Sequence, residues 1–180
     1  MKTIGNVILA LALVSSVYAA EDGVSAVHGT IRKIDSATKA VVVKTSDGTE
    51  HSLRFLDRTV VHGAYSSADA TQDSWHGLKE GTEVIAHYTK RGTEDTALEI
   101  DKVGKGGLKA TDGTIKDLDR AGKKVLIEAG NGTEETFLLT DYAANDAGRG
   151  VAKGAEKGAK VTVYYSGEAG KKVAHFFEKI

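Results

Sequence analysis

The chain carries six histidines, and five of them, His28, His51, His62, His76 and His87, fall in the first half, leaving His175 alone in the second. Imidazole suits Zn(II), Cu(II) or Ni(II). There is no Cys, and the single Met is the initiator, so the thiolate and thioether ligands of Cu(I) and iron–sulfur clusters are missing from the rest of the chain. The chemistry on offer is therefore a divalent metal site built from His28, His51, His62, His76 and His87. Spacing speaks against it. No two histidines stand at i, i+2 or i, i+4. The register set by the Asp47-Gly48 hairpin and a three-residue turn at Ser36-Ala37-Thr38 also offsets His28 from His51 by two strands and two residues, about 12 Å at ~4.8 Å per strand and ~3.4 Å per residue, too far for one ion. Scattered surface histidines are the reading this spacing favours, with the metal site as the alternative.

A second candidate is the segment 58–76, which holds His62, Tyr65, His76 and Trp75, the only Trp of the chain. Tyr65, Trp75 and His76 form the candidate ligand contacts, because loops on rigid barrels are where recognition concentrates. The bland account of Trp75 and Tyr65 is a lid closing one barrel end, since large aromatics bury large areas. Catalytic constellations are missing. Ser66 and Ser67 sit in no nucleophile elbow, and Ser74-Trp75-His76 has no strand–turn–helix context. The segments Gly104–Ala110 and Gly148–Gly154 lack phosphate-loop and dinucleotide glycine spacing. A non-catalytic protein without a resident cofactor is expected.

The elements that position these residues are read from a repeat. Residues 28–57 return as 112–141, displaced by 84, with 11 of 30 pairs identical; residues 77–103 return as 154–180, displaced by 77, with 6 of 27 identical. Differences between copies are not needed to make the fold, so they are where function is sought. The connection between the aligned blocks is 19 residues in the first copy, Arg58 to His76, and 12 in the second, Tyr142 to Lys153.

Within one copy, Val24 to Ile34 reads as a first strand, Ala40 to Thr45 as a β-branched second and Glu50 to Leu56 as a third. Asp47-Gly48 forms the hairpin turn between the last two. Asn131-Gly132 repeats that turn, which also accounts for the glycosylation-like Asn131-Gly132-Thr133. Val27 and Ile31 share a face but Ile34 falls on the other, as Ile115 and Leu118 do again, which calls for a bulge or sharp bend. A Gly-led fourth strand runs to Tyr88, and Thr96 to Val103 gives a fifth; the second copy matches them with Ala159 to Tyr165 and Lys172 to Ile180. The expected fold class is all-β, a tandem pair of small five-stranded OB-like or SH3-like barrels over 24–103 and 111–180, joined by a flexible Gly-rich linker at 104–110. Each copy holds a complete strand set, so the two are expected to fold separately.

Residues 1–19 read as a secretory signal: Lys2, an apolar run from Ile4 to Val17, and a Val17-Tyr18-Ala19 cleavage site. The uninterrupted apolar run is shorter than the roughly 20 residues a bilayer needs, so no membrane span is expected after its removal. Net charge goes from 24 minus 25, or −1, to 23 minus 25, or −2, when Lys2 is lost. Residues 24–103 carry 10 basic and 12 acidic side chains, and 111–180 carry 11 of each, so neither copy has the basic surplus that nucleic acid demands. Without disulfides, stability must come from burying a core.

Gly-Thr-Ile near a strand start, Asp-Gly-Thr at a hairpin and Leu-Lys-x-Gly-x-x-Val before the next strand together resemble a group of uncharacterised exported bacterial proteins built from small β-barrel domains. The resemblance covers nearly all of the mature chain and departs at Gly154 to Val161, where the second copy has Ala155 in place of Leu. It implies the fold and carries no catalytic residues across. The leading expectation is a periplasmic or secreted binding or scaffolding protein whose partner is a small molecule or an envelope protein. The alternatives are a periplasmic divalent metal binder using the first-copy histidines, and a structural or inhibitory protein of the cell envelope.

Overall fold

A computed structural model describes residues 23–63, 75–145 and 155–180. The expected signal sequence, Tyr65, Ser66, Ser67 and Ser74 lie outside the described residues. β1 (Val24–Asp35), β2 (Ala40–Lys44), β3 (Glu50–Arg54), β4 (Val60–His62), β5 (Glu83–Arg91) and β6 (Glu94–Lys102) form one sheet in the order β3-β2-β1-β5-β6-β4. β3 also pairs in parallel with β6, through Leu53 with Asp95 and Arg54 with Thr96, so the sheet returns on itself. β7 (Lys109–Asp119), β8 (Lys124–Ala129), β9 (Glu134–Leu139), β10 (Lys160–Glu168) and β11 (Lys171–Lys179) close into a second barrel, again through a parallel contact, β9 with β11. That order with a parallel closure is the OB arrangement, which decides between the two barrel types expected. A single helical turn, α1 (Asp141–Asn145), follows β9. Thr140 caps it: the Ala143 amide donates to Thr140 Oγ1 at 3.2 Å, and Ala143 and Ala144 are buried.

Local chemistry explains the strand layout. Between β2 and β3, Gly48 takes φ +88°, its amide donates to the Thr45 carbonyl at 3.0 Å, and the Thr49 amide donates to Asp47 Oδ1 at 2.9 Å. The Asn131-Gly132 turn repeats this, with the Thr133 amide donating to Asn131 Oδ1 at 3.0 Å. The bulge required by the phase of the apolar residues lies between Ile31 and Lys33, and its twin between Ile115 and Asp117. Gly29 and Gly113 sit just ahead of it; a Cβ on Gly29 would overlap the Lys44 carbonyl, and one on Gly113 the Ile127 side chain.

One expectation is corrected, and two features lie outside the strand pattern read from the sequence. The first turn spans 36–39, with Lys39 at φ +53°, rather than Ser36-Ala37-Thr38 alone. β4 was not anticipated at all; three residues of an otherwise polar stretch pair in parallel with β6. The Gly-rich connection forms a hydrogen-bonded turn: the Gly104 amide donates to the Leu108 carbonyl at 2.8 Å, the Leu108 amide to the Lys102 carbonyl at 2.7 Å, and Leu108 is buried.

Each barrel has its own core. Val27, Ile31, Val41, Val43, Leu53 and Ile100 fill the first, and Ile115, Val125, Ile127, Phe137, Val161, Val163 and Phe177 the second. The outer face of β5 breaks the usual rule that such a face meets water. Val84 and Ala86 point into the first core, yet Ile85 and His87 on the opposite face are also fully buried. Ile85 belongs to the core cluster of the second barrel, and Val24 and Ala26 of β1 pack against the same cluster. The two barrels are therefore docked, with β5 and β6 covered by the second barrel.

Candidate metal centre

On β6 the period of two puts Glu99 and Asp101 on the outer face while Ile100 enters the core. β4 brings His62 directly across from Asp101, and β5 brings His87 across from Glu99. His62 Nδ1 lies 2.9 Å from Asp101 Oδ1 and 3.2 Å from Glu99 Oε1. Ligand atoms of His62, Glu99 and Asp101 all fall within 4.8 Å of one another. The second barrel completes the cluster. His175 Nδ1 stands 3.4 Å from Asp101 Oδ2 and 3.7 Å from Glu99 Oε1, and its Nε2 meets Ser166 Oγ at 3.0 Å. His87 Nε2 contacts the His175 carbonyl at 3.3 Å, and Tyr142 at the start of α1 stacks on the His87 ring at 5.2 Å.

The electrostatics follow from burial and proximity. Asp101 is fully buried and His175 is 7% exposed, whereas His62 is 54% exposed. Burial alone would depress His175, but the facing carboxylates of Asp101 and Glu99 outweigh it and push the imidazole up to about 9. Burial raises Asp101, and the neighbouring imidazoles of His175, His87 and His62 more than offset it, leaving the carboxyl below its ordinary value. His87, buried beneath Tyr142, is depressed because burial outweighs Asp101 and Glu99. Three atoms of this cluster, Asp101 Oδ2, His175 Nδ1 and His87 Nδ1, are buried without a hydrogen-bond partner. Such atoms are rare in folded proteins and call for an explanation. A cavity of about 290 Å³ lined by His62, Gly63, Asp101, Gly107, Ser166 and His175 opens beside them.

The sequence-derived metal set is not one site. His51 pairs opposite Val43, which pairs opposite Ile31, so it lies three residues and two strands from His28. That is about 14 Å, beyond the reach of one ion. His28 instead bridges the barrels, with Nε2 at 2.8 Å from Glu83 and Nδ1 at 3.0 Å from Glu178. Tyr164 donates to the same Glu178 oxygen at 2.9 Å, and burial and that bond hold its phenol protonated. His51 lies beside Tyr88, and His76 is exposed. Of the five, His62 and His87 converge. Among the candidate ligand contacts, the Trp75 ring packs on Phe55 at 4.6 Å and on His76, and its backbone pairs with Leu78.

Sequence reasoning missed Glu99, Asp101 and His175. A signal was present in the repeat. At the displacement of 77, His175 stands where the first copy has Leu98, Asp101 where the second has Glu178, and His87 where the second has Tyr164.

No family model matches this chain, and no curated protein matches it. Among solved structures it is similar to the crystal structure of Ag(I)CusF, at 14% identity over 44% of this chain and 96% of that one, with a TM-score of 0.32. It is also similar to apo-CusF residues 6–88 from Escherichia coli, at 14% identity over 48% of this chain and 95% of that one, with a TM-score of 0.35. Likenesses at this level say nothing about what this chain binds. No helix among the described residues is long and apolar enough to cross a membrane.

Proposed function

We propose that this chain is an exported divalent-metal-binding protein, with the ion held on the outer face of β4 and β6 by His62, Glu99 and Asp101. One observation carries the reading: imidazole and carboxylate ligand atoms converge within 4.8 Å around a fully buried Asp101 whose second oxygen has no hydrogen-bond partner. Two carboxylates balance the charge of a divalent ion, and a buried charge is tolerated only when compensated. The donors are nitrogen and oxygen, which suits Zn(II), Cu(II) or Ni(II) rather than a soft monovalent ion. This reading is preferred to a contact surface at Tyr65, Trp75 and His76, because the Trp75 ring is already packed on Phe55. Export rests on the signal-like residues 1–19.

Thermal unfolding of the mature protein with Zn(II), Cu(II) and Ni(II), before and after chelator, tests it. A ligand at 100 times its Kd adds about 2.7 kcal/mol. At least one of the three ions should raise the midpoint, chelator should reverse the rise, and His62→Ala should abolish it. No shift with any of the three ions overturns the proposal.

A further inference from the structure

His175 sits at a bulge. In the pairing of β10 with β11, Tyr164 faces Phe176 and Tyr165 faces Ala174, so His175 is the extra residue. A bulge bends the strand and re-aims a side chain. The first barrel has the same bulge at Leu98, between Ala97 and Glu99, where the side chain has no ligand atom. Only the second barrel thus carries a donor at this position, and it points across the junction into the cluster on β6.

Resting on the metal reading above, we infer that His175 supplies the fourth ligand, so that one ion is shared between the two barrels and fastens them together. Four separations carry this: His62 to Asp101 at 2.9 Å, His62 to Glu99 at 3.2 Å, His175 to Asp101 at 3.4 Å and His175 to Glu99 at 3.7 Å. A tetrahedral ion with bonds of about 2.0–2.1 Å needs its ligand atoms about 3.3 Å apart, a spacing that each imidazole keeps with the two carboxylates; His175 stands outside the group whose ligand atoms all lie within 4.8 Å of one another, so the ion must draw it in toward His62. Asp101 faces His62 with Oδ1 and His175 with Oδ2, so its carboxylate lies between the two imidazoles. The Nδ1 of His175, on a side chain 7% exposed, makes no hydrogen bond although it faces two carboxylates, and this is the independent sign that a ligand belongs there. Ser166 supplies the outer support. When Nε2–H donates to Ser166 Oγ, the Nδ1 lone pair faces the carboxylates, as metal-bound histidines are ordinarily oriented.

Four protein ligands make a closed site, the form structural zinc takes. The related position across the junction cannot serve as a second one. Glu178, the counterpart of Asp101, is already engaged by His28 and Tyr164. Because the ion contacts both barrels, its binding and their docking are linked, each strengthening the other by the same factor.

The test uses the mature chain and its His175→Gln and His62→Ala variants, each shown by circular dichroism to be folded. Zn(II) affinity is measured by competition, and Co(II) is used as a spectroscopic substitute. Wild type should give an intense tetrahedral Co(II) absorption and two hyperfine-shifted imidazole systems. His175→Gln should lose one of these systems and weaken Zn(II) binding by more than about 100-fold, the upper end of what a supporting residue outside the ligand shell costs. Unchanged affinity and spectrum in His175→Gln, or weaker binding with both imidazole systems retained, overturns the shared ion while leaving the metal reading intact. Failure of wild type to take up Zn(II) or Co(II) overturns both.

Discussion

Replacing Ile85 by alanine removes three carbons from a side chain that is fully buried yet faces out of its own barrel, into the core cluster of the second. At about 0.8 kcal/mol per buried carbon the lost transfer energy is about 2.4 kcal/mol. The gap left between two rigid sheets adds a cavity term, giving about 3 kcal/mol within the usual 2–5 for such a change. Two probes separate this from an ordinary core defect. Trp75 fluorescence follows the first barrel, where its ring packs on Phe55, and far-ultraviolet circular dichroism follows both barrels. In urea, Ile85→Ala should lower the stability by about 3 kcal/mol and split two coincident transitions, because what is lost is the contact between barrels. Thr162→Ala, at the twin position on β10, removes a methyl and a hydroxyl that donates to Asp112 at 2.7 Å, a bond exposed to solvent, and should cost about 1 kcal/mol. A cost for Ile85→Ala within about 0.5 kcal/mol, the range of surface substitutions, would refute the docked arrangement.

Two further outcomes are expected. In chelator-treated protein His175 is raised from 6.5 to about 9, so its contribution is complete below about pH 6.5 and is lost as pH rises through about 9. The urea stability should fall over that window by on the order of 3 kcal/mol at most, and a wild-type profile as flat as that of His175→Gln would contradict the assigned contacts. Trp75→Ala should cost about 2–3 kcal/mol, less than the 3–5 of a fully buried Trp, because the ring is half-buried against Phe55; a cost above 5 or near zero counts against that placement.

What was legible in the sequence is what neighbouring residues decide. Asp47-Gly48 and Asn131-Gly132 set their hairpins through bonds spanning two or three residues. The misphased Ile31 and Ile34 announced a bulge because side-chain alternation is strict. The metal centre is decided by distant partners and was mostly hidden. Glu99 and Asp101 read as ordinary outward-facing polar residues, and it is β4 and the docked second barrel together that cover them. β4 is three residues held by parallel pairing to β6, with no periodicity of its own to reveal it. His62 and His87 could be named as metal-binding types, but their meeting point depends on three strands. His175 was visible only as a Leu-to-His difference between copies, 77 positions from Leu98.

The turn from Lys102 to Leu108 has a consequence for concentration dependence. With β6 ending at Lys102 and β7 beginning at Lys109, the barrels are presented to one another at an effective concentration on the order of millimolar. Their junction can therefore be weak by the standards of separate subunits and still be formed nearly all the time. Dilution does not disperse it, and the two halves of the His62–His175 cluster are always present in equal number. Cutting the chain within this turn would convert a unimolecular equilibrium into a bimolecular one, and ion uptake would then depend on how much protein is present.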